Sequence, residues 1–336
     1  MRILVSGGAG FIGSHTCVEL LNQGYDVTLF DDFSNSSEEV VSKIKEITGK
    51  DLKCFKCDMK DKKALEKVFK KDKYDALIHF AGYKAVGESV AKPLMYYENN
   101  LFGSVNLFEL CKKYEVNKII FSSSATVYGL SENMPLKEDA PLSVTNPYGR
   151  TKLMIEGILE DMAKAEKQFS IVVLRYFNPI GAHESGLIGE DPNGIPNNLM
   201  PRLLDVVRGK AGCLMVYGGD YPTPDGTGVR DYIHVTDLAE GHICALRYAF
   251  SGFTGIDAFN LGCGRGVSVL ELINTFEKVN NVKINYKIVD RRPGDVAENY
   301  ADVSKAKSIL GFTAQKTVED MCRDSYRFCM KKENMK

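Results

Sequence analysis

A glycine-rich loop near the start of the chain, GGAGFIG at residues 7–13, constrains the fold more than any other feature. It follows a short apolar run at residues 3–6 and precedes a helical pattern from Ile12 to about Leu21. Glycines at this junction permit a tight turn and let backbone N–H groups approach a pyrophosphate beside the positive end of the helix dipole. Strand, loop and helix in this order predict a dinucleotide-binding unit, and a glycine-rich turn without a ligand is the alternative. The glycines of the two overlapping patterns are Gly7, Gly8, Gly10 and Gly13.

The first half of the chain alternates apolar strand patterns with helical patterns. Strands that are apolar throughout and alternate with helices indicate a parallel sheet that is covered on both faces. Right-handed crossovers then give a doubly wound α/β (Rossmann) fold, in which ligands bind beyond the carboxyl ends of the strands. The predicted strands lie at 3–6, 26–31, 52–58, 75–82, 118–124 and 170–176, and the predicted helices begin near residues 12, 60, 93 and 148.

The second half is less regular and predicts a smaller C-terminal lobe. Residues 181–198 and 221–228 are rich in glycine and proline and are predicted to be loops. We therefore expect a large domain at 1–178 and a smaller lobe at 179–336, with about 229–262 rejoining the large domain. Asp237 is a plausible cap for a helix in that returning piece.

The composition excludes several classes of function. A formal net charge of −1 over 336 residues gives no overall electrostatic reason to bind nucleic acid or an anionic membrane. Nine scattered cysteines and the lack of a long apolar run favour a reduced, cytoplasmic location. Cys54 and Cys57 have CxxC spacing, but no second pair completes a zinc site, so we expect ordinary thiols and no metal.

Two acids, Asp31 and Asp32, end the second predicted strand. An acid at this point of a doubly wound fold accepts hydrogen bonds from the adenosine ribose and repels a 2′-phosphate, which favours NAD over NADP. A capping acid in the turn that follows is the alternative. Asp58 ends the third predicted strand, where the adenine edge would lie.

The segment NPYGRTK at residues 146–152 places Tyr148 four residues before Lys152, on one face of a helix. A phenol has an ordinary pKa of about 10, and a nearby ammonium or positively charged nicotinamide would favour the phenolate. The tyrosine would then accept and donate a proton, although an exposed pair of side chains is the alternative. Ser124, with Ser122 in support, ends the fifth predicted strand and could bond to a substrate oxygen, unless these serines only cap the backbone.

Eight motifs are distributed along the chain: GGAGFIGSH, DDFSNS, HFAGYKAVGES, SSSATVYG, NPYGRTK, YFNPIGAH, IPNNLMP and GTGVRDYIHV. Together they closely resemble the extended short-chain dehydrogenase/reductase family, and within it the nucleotide-sugar 4-epimerases. The resemblance spans roughly residues 1–312. It implies NAD-dependent, redox-neutral epimerisation at C4 of a UDP-hexose, UDP-galactose to UDP-glucose, through a transient 4-keto sugar and enzyme-bound NADH.

The same resemblance implies the site residues, with tightly bound NAD in the large domain and the nucleotide sugar in the lobe. Tyr148, Lys152 and Ser124 would be catalytic. The cofactor would meet Gly7, Gly10, Phe11, Ile12, Gly13, Asp31, Asp32, Asn35, Ser36, Asp58, Met59, Phe80, Ala81, Gly82, Lys84, Asn99, Ser122, Ser124, Tyr148, Lys152 and Phe177. The UDP-sugar would meet Lys84, Ser124, Tyr148, Asn178, Asn198, Met215, Val216, Tyr217, Arg230, Arg292 to Asp295, and Asn299.

Several alternatives remain open among the substrate residues. Arg230 could instead pair with Asp231 or another local acid, and Arg291 could take the place of Arg292. Many bacterial members of the resembled group have a bulky tyrosine where this chain has Asn299. The smaller side chain predicts additional activity on UDP-GalNAc and UDP-GlcNAc, unless the adjacent Tyr300 refills the space.

The resemblance also implies a homodimer that pairs the helices beginning near Pro93 and Tyr148. Apolar residues on these helices fit either a dimer bundle or plain core packing, and they are Leu107, Leu110, Ile155 and Leu159.

Three rival functions share the fold and the cofactor. A nucleotide-sugar 4,6-dehydratase needs an Asp–Glu pair just after the serine, where this chain has Ala125 and Thr126. A catalytically silent NAD-binding sensor would not require Tyr148, Lys152 and Ser124 together. A simple dehydrogenase, which releases NADH in each turnover, is disfavoured only weakly.

Overall fold

The computed structural model describes residues 1–131, 133–194, 196, 198–292 and 294–334. Its largest element is a seven-stranded sheet, which smaller sheets accompany in the second half of the chain. The strands are β1 (Arg2–Ser6), β2 (Asp26–Asp31), β3 (Lys53–Lys56), β4 (Ala76–His79), β5 (Lys118–Ser124), β6 (Ser170–Tyr176), β7 (Asn178–Ile180), β8 (Leu214–Tyr217), β9 (Val229–His234), β10 (Gly255–Leu261), β11 (Gly266–Ser268), β12 (Tyr286–Val289) and β13 (Glu298–Asn299).

The large sheet has the order β10-β6-β5-β4-β1-β2-β3, and each pair of neighbours in it is parallel. The strand order reverses between β1 and β4, which creates a crevice at the carboxyl ends of the strands. The predicted doubly wound α/β fold is confirmed. The glycine loop and Ser124 both lie at the carboxyl ends of their strands, which is where a ligand is expected.

Helices cover both faces of this sheet because its strands are apolar on both sides. In β1, Ile3 and Val5 face one core cluster and Leu4 faces the other, as the two-residue period of a strand requires. The helices are α1 (Phe11–Asn22), α2 (Glu39–Thr48), α3 (Lys62–Phe69), α4 (Val86–Ala91), α5 (Pro93–Tyr96), α6 (Gly103–Lys113), α7 (Pro147–Ala165), α8 (Leu199–Val207), α9 (Val235–Phe250), α10 (Val269–Asn280) and α11 (Val318–Asn334).

The predicted long helix after β4 consists of three consecutive pieces. A π-helical segment, Tyr97–Phe102, joins α5 to α6 without a break. Sequence patterns did not predict α2 or α4. Among the described residues, no helix is both long enough and apolar enough to cross a membrane.

The piece at residues 229–262 divides between two sheets. Strand β10 completes the large sheet beside β6, whereas β9 pairs with β7, β11 and β13 in a smaller sheet. Asp237 does not cap α9, so that prediction is wrong. The helix begins directly after β9, and its cap is His234, whose Nδ1 accepts the Thr236 N–H at 3.1 Å.

A third core cluster, built from α8, α10, α11, β8 and β9, lies in the second half of the chain. These elements and the loops between them carry most of the residues expected to bind the nucleotide sugar. Short β8 pairs in parallel with β12, so residues 214–217 form part of a two-stranded ribbon. The division of the chain at residue 178 stays a prediction.

Candidate functional site

The glycine loop between β1 and α1 is packed too tightly for side chains. Gly7 has a φ of +66°, and a Cβ placed on it would lie 2.7 Å from the Ala81 backbone nitrogen. Gly10 caps α1 without a side-chain hydrogen bond. The N–H groups of Phe11 and Ile12 therefore sit at an open helix N-terminus, which suits a phosphate. These residues fit the dinucleotide cofactor predicted from the sequence.

Asp31 and Asp32 play different parts although they are adjacent. The buried Asp31 carboxylate accepts the Ala9 N–H at 3.0 Å, the Phe33 N–H at 2.9 Å and the Ser36 hydroxyl at 2.9 Å. Burial raises the pKa of Asp31, and these hydrogen bonds lower it. Asp32 accepts the Ser34 N–H and hydroxyl through one oxygen, as a turn-capping acid does. Asp31 is thus the acid that lies against the glycine loop.

We expect Asp31→Asn to weaken NAD binding by about 10- to 100-fold, because hydrogen bonds to a charged group are worth about 1.5–3 kcal/mol. The carboxamide has one acceptor oxygen, so its NH2 group would face an N–H or O–H donor. Titration of NAD into stripped protein, followed by protein fluorescence, measures the change.

Asp32→Asn is the matched control for this variant. Its amide oxygen can still accept both bonds from Ser34, so affinity should stay within about twofold of the unmodified chain. Equal losses in the two variants would contradict the assignment of Asp31.

The acid–base candidates meet at the carboxyl end of β5. Helix α7 begins at Pro147, and Asn146 caps it by accepting the Gly149 N–H at 2.8 Å. This start brings Lys152 over β5, where its Nζ donates to the Ser122 carbonyl at 2.6 Å. Ser122 therefore supports the site through its backbone oxygen.

Ser124 is poised to donate a hydrogen bond. Its hydroxyl oxygen accepts the Thr126 N–H at 3.2 Å and the Thr126 hydroxyl at 3.0 Å. Both bonds use the oxygen, so the Ser124 proton stays available for the Tyr148 phenol or a substrate oxygen.

The predicted lowering of the Tyr148 pKa by Lys152 is not observed in this structure. Burial raises the pKa of Tyr148, and only the hydrogen bond with Ser124 lowers it. The Lys152 ammonium is instead directed to the Ser122 carbonyl. Burial lowers the pKa of Lys152 to about 8, and the Glu156 carboxylate raises it. Sequence reasoning missed Glu156, although it continues the four-residue spacing of Tyr148 and Lys152.

The remaining cofactor candidates line the loops that follow β2, β3, β4 and β6. Met59 is buried against Gly103, and Asp58 caps its own turn through the Lys60 N–H. Gly82 has a positive φ and lies next to Asn100. The others in these loops or close to them are Asn35, Ser36, Phe80, Ala81, Asn99 and Phe177, of which Asn99 and Phe177 are buried.

Three of the substrate candidates are brought together around β8. The Arg292 guanidinium lies 3.8 Å from the centre of the Tyr217 ring, and Met215 is exposed on the same strand. Val216 points into the third core cluster, so only its backbone can reach a ligand. In the predicted segment 292–295, Pro293 lies outside the described residues, as do Ile195 and Asn197 of the IPNNLMP motif.

The structure shows which acidic side chains lie next to Arg230 and Arg291. Arg230 lies 3.9 Å from Asp295, while buried Asp231 instead accepts three backbone N–H groups. Arg291 is bound to Asp220 at 2.7 Å. Arg292 is thus the better placed of the two neighbouring arginines for a diphosphate.

Glu190, a loop residue that the sequence did not indicate, contacts one residue predicted for the cofactor and one predicted for the UDP-sugar. The Glu190 side chain, which is largely buried, accepts Lys84 Nζ at 2.9 Å and Asn198 Nδ2 at 2.8 Å. Asn193 on the same loop donates its N–H to Asn35 at 3.0 Å. No local pattern identifies the contacts with Lys84 and Asn35, because these partners lie 106 and 158 residues away along the chain.

Comparison with known proteins identifies the family. Residues 3–262 match the model of the NAD dependent epimerase/dehydratase family. The chain belongs to this family. The predicted family and the prediction of NAD as cofactor are therefore confirmed.

Relatives within this epimerase/dehydratase family match nearly the whole chain. A UDP-glucose 4-epimerase of Bacillus subtilis is 58% identical over 98% of this chain and 96% of its own. A Bifidobacterium longum UDP-glucose 4-epimerase solved with NAD+ and UDP has a TM-score of 0.96, 51% identity and 99% coverage of both chains. A Stenotrophomonas maltophila UDP-glucose-4-epimerase, solved with NAD and formylated UDP-arabinopyranose, has a TM-score of 0.97, 45% identity and 100% coverage of both. The prediction of an isomerase is confirmed.

Proposed function

We propose that the chain interconverts UDP-galactose and UDP-glucose by inverting C4 of the hexose. The observation that carries this proposal is the cluster of Tyr148, Lys152 and Ser124 beside a dinucleotide loop. General acid–base work needs a proton acceptor and an oriented donor at one substrate oxygen, and these residues supply both. The names of the relatives support the same reaction.

In this proposal Tyr148 removes the proton from the 4-hydroxyl and later returns it to the same oxygen. Ser124 donates its free hydrogen to that oxygen as it becomes a carbonyl. Lys152 donates to the Ser122 carbonyl and so holds α7 against the end of β5, while the hydrogen bond with Ser124 offsets part of the effect of burial on the Tyr148 pKa. NAD, held by the glycine loop and Asp31, supplies reversible acceptance of the C4 hydride when it is bound.

Inversion requires the 4-keto sugar to turn over while the nucleotide stays fixed. We propose that Arg230 and Arg292 hold the diphosphate and that Tyr217 lies against the nucleotide, since arginine forks suit phosphates. Residues 1–178 would then hold the cofactor and residues 179–336 the nucleotide sugar. The remaining substrate contacts proposed are Lys84, Asn178, Asn198, Met215 and Asp295.

This chain lacks the Asp–Glu pair that a nucleotide-sugar 4,6-dehydratase needs just after the serine. The positions after Ser124 are Ala125, which is buried, and Thr126, whose hydroxyl is bonded to Ser124. Neither can move protons at C5 and C6 of a sugar. A catalytically silent sensor would not need Tyr148, Lys152 and Ser124 to lie together.

The test is to incubate the purified chain with UDP-galactose and, separately, with UDP-GalNAc, without added NAD, and to identify the products. We expect UDP-glucose from the first and UDP-GlcNAc from the second. No conversion of UDP-galactose would refute the proposed function, and a 4-keto-6-deoxy sugar would identify a dehydratase instead.

The expectation for UDP-GalNAc rests on Asn299 of β13. Its side chain is smaller than the tyrosine found in many members, and the Tyr300 ring lies beside Gly266 of β11. Asn299→Tyr should therefore suppress turnover of UDP-GalNAc by about tenfold or more while UDP-galactose turnover changes little, because overfilling a packed site typically costs about 1–3 kcal/mol. Equal loss on both substrates would contradict this specificity role.

We further propose a homodimer and a cytosolic location. Leu107, Leu110, Ile155 and Leu159 are buried within one chain, so they pack the core and are not available to a partner. The apolar residues that the same helices leave exposed are Leu94 (80%), Phe102 (54%) and Met154 (44%), and these support pairing with a second copy.

A further inference from the structure

A buried ion pair lies one helical turn beyond Lys152. Glu156 of α7 follows Lys152 by four residues and Tyr148 by eight, so the three side chains share one helix face. The Glu156 and Arg175 side chains are only 9% and 6% exposed, and their charged atoms are 2.8 Å apart. Such a pair offers little net stability compared with apolar packing, so its presence calls for another role.

A single carboxylate ties α7 to two strands. Arg175 of β6 donates from Nη2 to one Glu156 oxygen at 2.8 Å and from Nε to the other at 3.2 Å. Ser123 of β5 donates its hydroxyl to the same carboxylate. Ser123 and Arg175 are register partners in the paired strands, so the contacts fix both the rotation and the height of the helix.

Ser123, the β5 residue that bonds to Glu156, lies between the two β5 residues that contact Lys152 and Tyr148. Ser122, whose carbonyl accepts Lys152, precedes Ser123, and Ser124 follows it. We propose that Glu156 and Arg175 are positioning residues, which hold Tyr148 and Lys152 in register with Ser124. For the identity of the reaction, this inference rests on the proposed function.

A series of hydrogen bonds connects the same ion pair to residues 299–300, the segment expected to face the sugar. Arg175 donates to the Tyr128 hydroxyl at 3.1 Å, and Tyr128 donates to Asn260 at 2.6 Å. Asn260 in turn donates to the Leu136 carbonyl at 2.9 Å, and the Leu136 N–H bonds to the Tyr300 carbonyl. The residue after Asn299 is thus connected to the catalytic helix through buried polar contacts.

The charges around the two reacting groups come from several elements. Lys152 faces Glu156 on its own helix, His79 of β4 and the ring of Phe121, whose centre is 5.0 Å from the ammonium. Burial lowers the pKa of His79 to about 3, so it is neutral there. Glu156 is therefore the negative charge that helps to keep Lys152 protonated. Tyr148 faces Ser124, with the phenols of Tyr96 and Tyr176 nearby.

The test compares Glu156→Leu/Arg175→Met with the unmodified chain. Removing both charges together avoids an unpaired buried ion, so the double variant should fold and retain NAD. We expect kcat for UDP-galactose to fall by about 10- to 100-fold, as small misplacements of catalytic groups do, while KM changes by less than about threefold. Glu160→Gln, which removes an exposed charge paired with Lys164 on the same helix, is the control and should leave kcat unchanged.

A titration that does not depend on turnover separates this inference from the proposed function. The phenolate absorbance of each protein, minus that of its Tyr148→Phe derivative, gives the pKa of Tyr148. We expect a higher pKa in the double variant, because helix α7 no longer holds Tyr148 against the Ser124 hydroxyl, whose hydrogen bond lowers the Tyr148 pKa. If the unmodified chain does not convert UDP-galactose, the proposed function fails and the titration alone decides the inference.

A folded double variant with kcat within about twofold of the unmodified chain would overturn the positioning role, and so would an unchanged Tyr148 pKa. If the double variant does not fold, Arg175→Lys is judged by the same two measurements. This variant keeps a positive charge beside Glu156 but removes the two-point contact of the guanidinium.

Discussion

Tyr148→Phe is expected to lower kcat for UDP-galactose by about 10²- to 10⁴-fold, the range that general acid–base groups contribute. The substitution removes one oxygen, which is the atom proposed to take and return the proton. Progress curves with UDP-galactose measure the loss, and the absorbance of the released nucleotide measures NAD content. We expect the variant to retain its NAD, since the cofactor loop lies on other elements.

Tyr114→Phe is a matched control for this substitution. The Tyr114 hydroxyl bonds to Glu66 at 2.9 Å, near the amino end of β5 and therefore at the far edge of the sheet. Its loss should leave kcat unchanged. Near-full activity in Tyr148→Phe, with the control also active, would refute the assignment of Tyr148 as the acid–base group.

Gly7→Ala is the second substitution with a large expected effect. A methyl group at this position would lie 2.7 Å from the Ala81 nitrogen and 2.9 Å from its Cα, both of which are backbone atoms. The loop or the end of β4 must therefore move, and the phosphate cradle moves with it. We expect the variant to bind NAD at least about tenfold more weakly, a loss of about 1.4 kcal/mol.

Gly49→Ala is a control that separates the backbone strain of a positive φ from the steric clash that a methyl group would make at Gly7. Gly49 has nearly the same φ, +65°, but no atom beyond its own chain neighbours lies within 4 Å of the added methyl group. It should lower the free energy of unfolding by about 1–2 kcal/mol without changing NAD affinity. Equal NAD binding by the Gly7 and Gly49 variants would show that the close approach to Ala81 is not needed for the cofactor.

The sequence predicts the large sheet well because its strands have a simple physical signature. A short apolar run such as ILVS that is followed by glycines indicates a strand covered on both faces, and β1 buries Ile3 and Leu4 on opposite sides. The glycine loop was equally predictable, since close backbone packing excludes a Cβ. Both features depend on residues that are neighbours in the chain.

The errors arise where distant residues decide the outcome. Asp237 resembles a helix cap, but it accepts the N–H groups of Gln315 and Lys316 instead. Lys152 was expected to act on the phenol, yet its ammonium finds the Ser122 carbonyl on β5. Glu190 joins Lys84 to Asn198 from a loop that has no periodic pattern. Tertiary contacts of this kind leave no local signal.

The position of β10 at the end of the large sheet has a consequence for folding. Residues 255–261 cover the last strand of the cofactor half, β6, along its whole length from Ser170 to Tyr176. A fragment ending at residue 178 would leave β6 as a bare edge, with a row of unpaired N–H and C=O groups and apolar side chains on both faces. Such an edge promotes aggregation, so we expect a fragment cut at that point to aggregate and not to fold as an autonomous module.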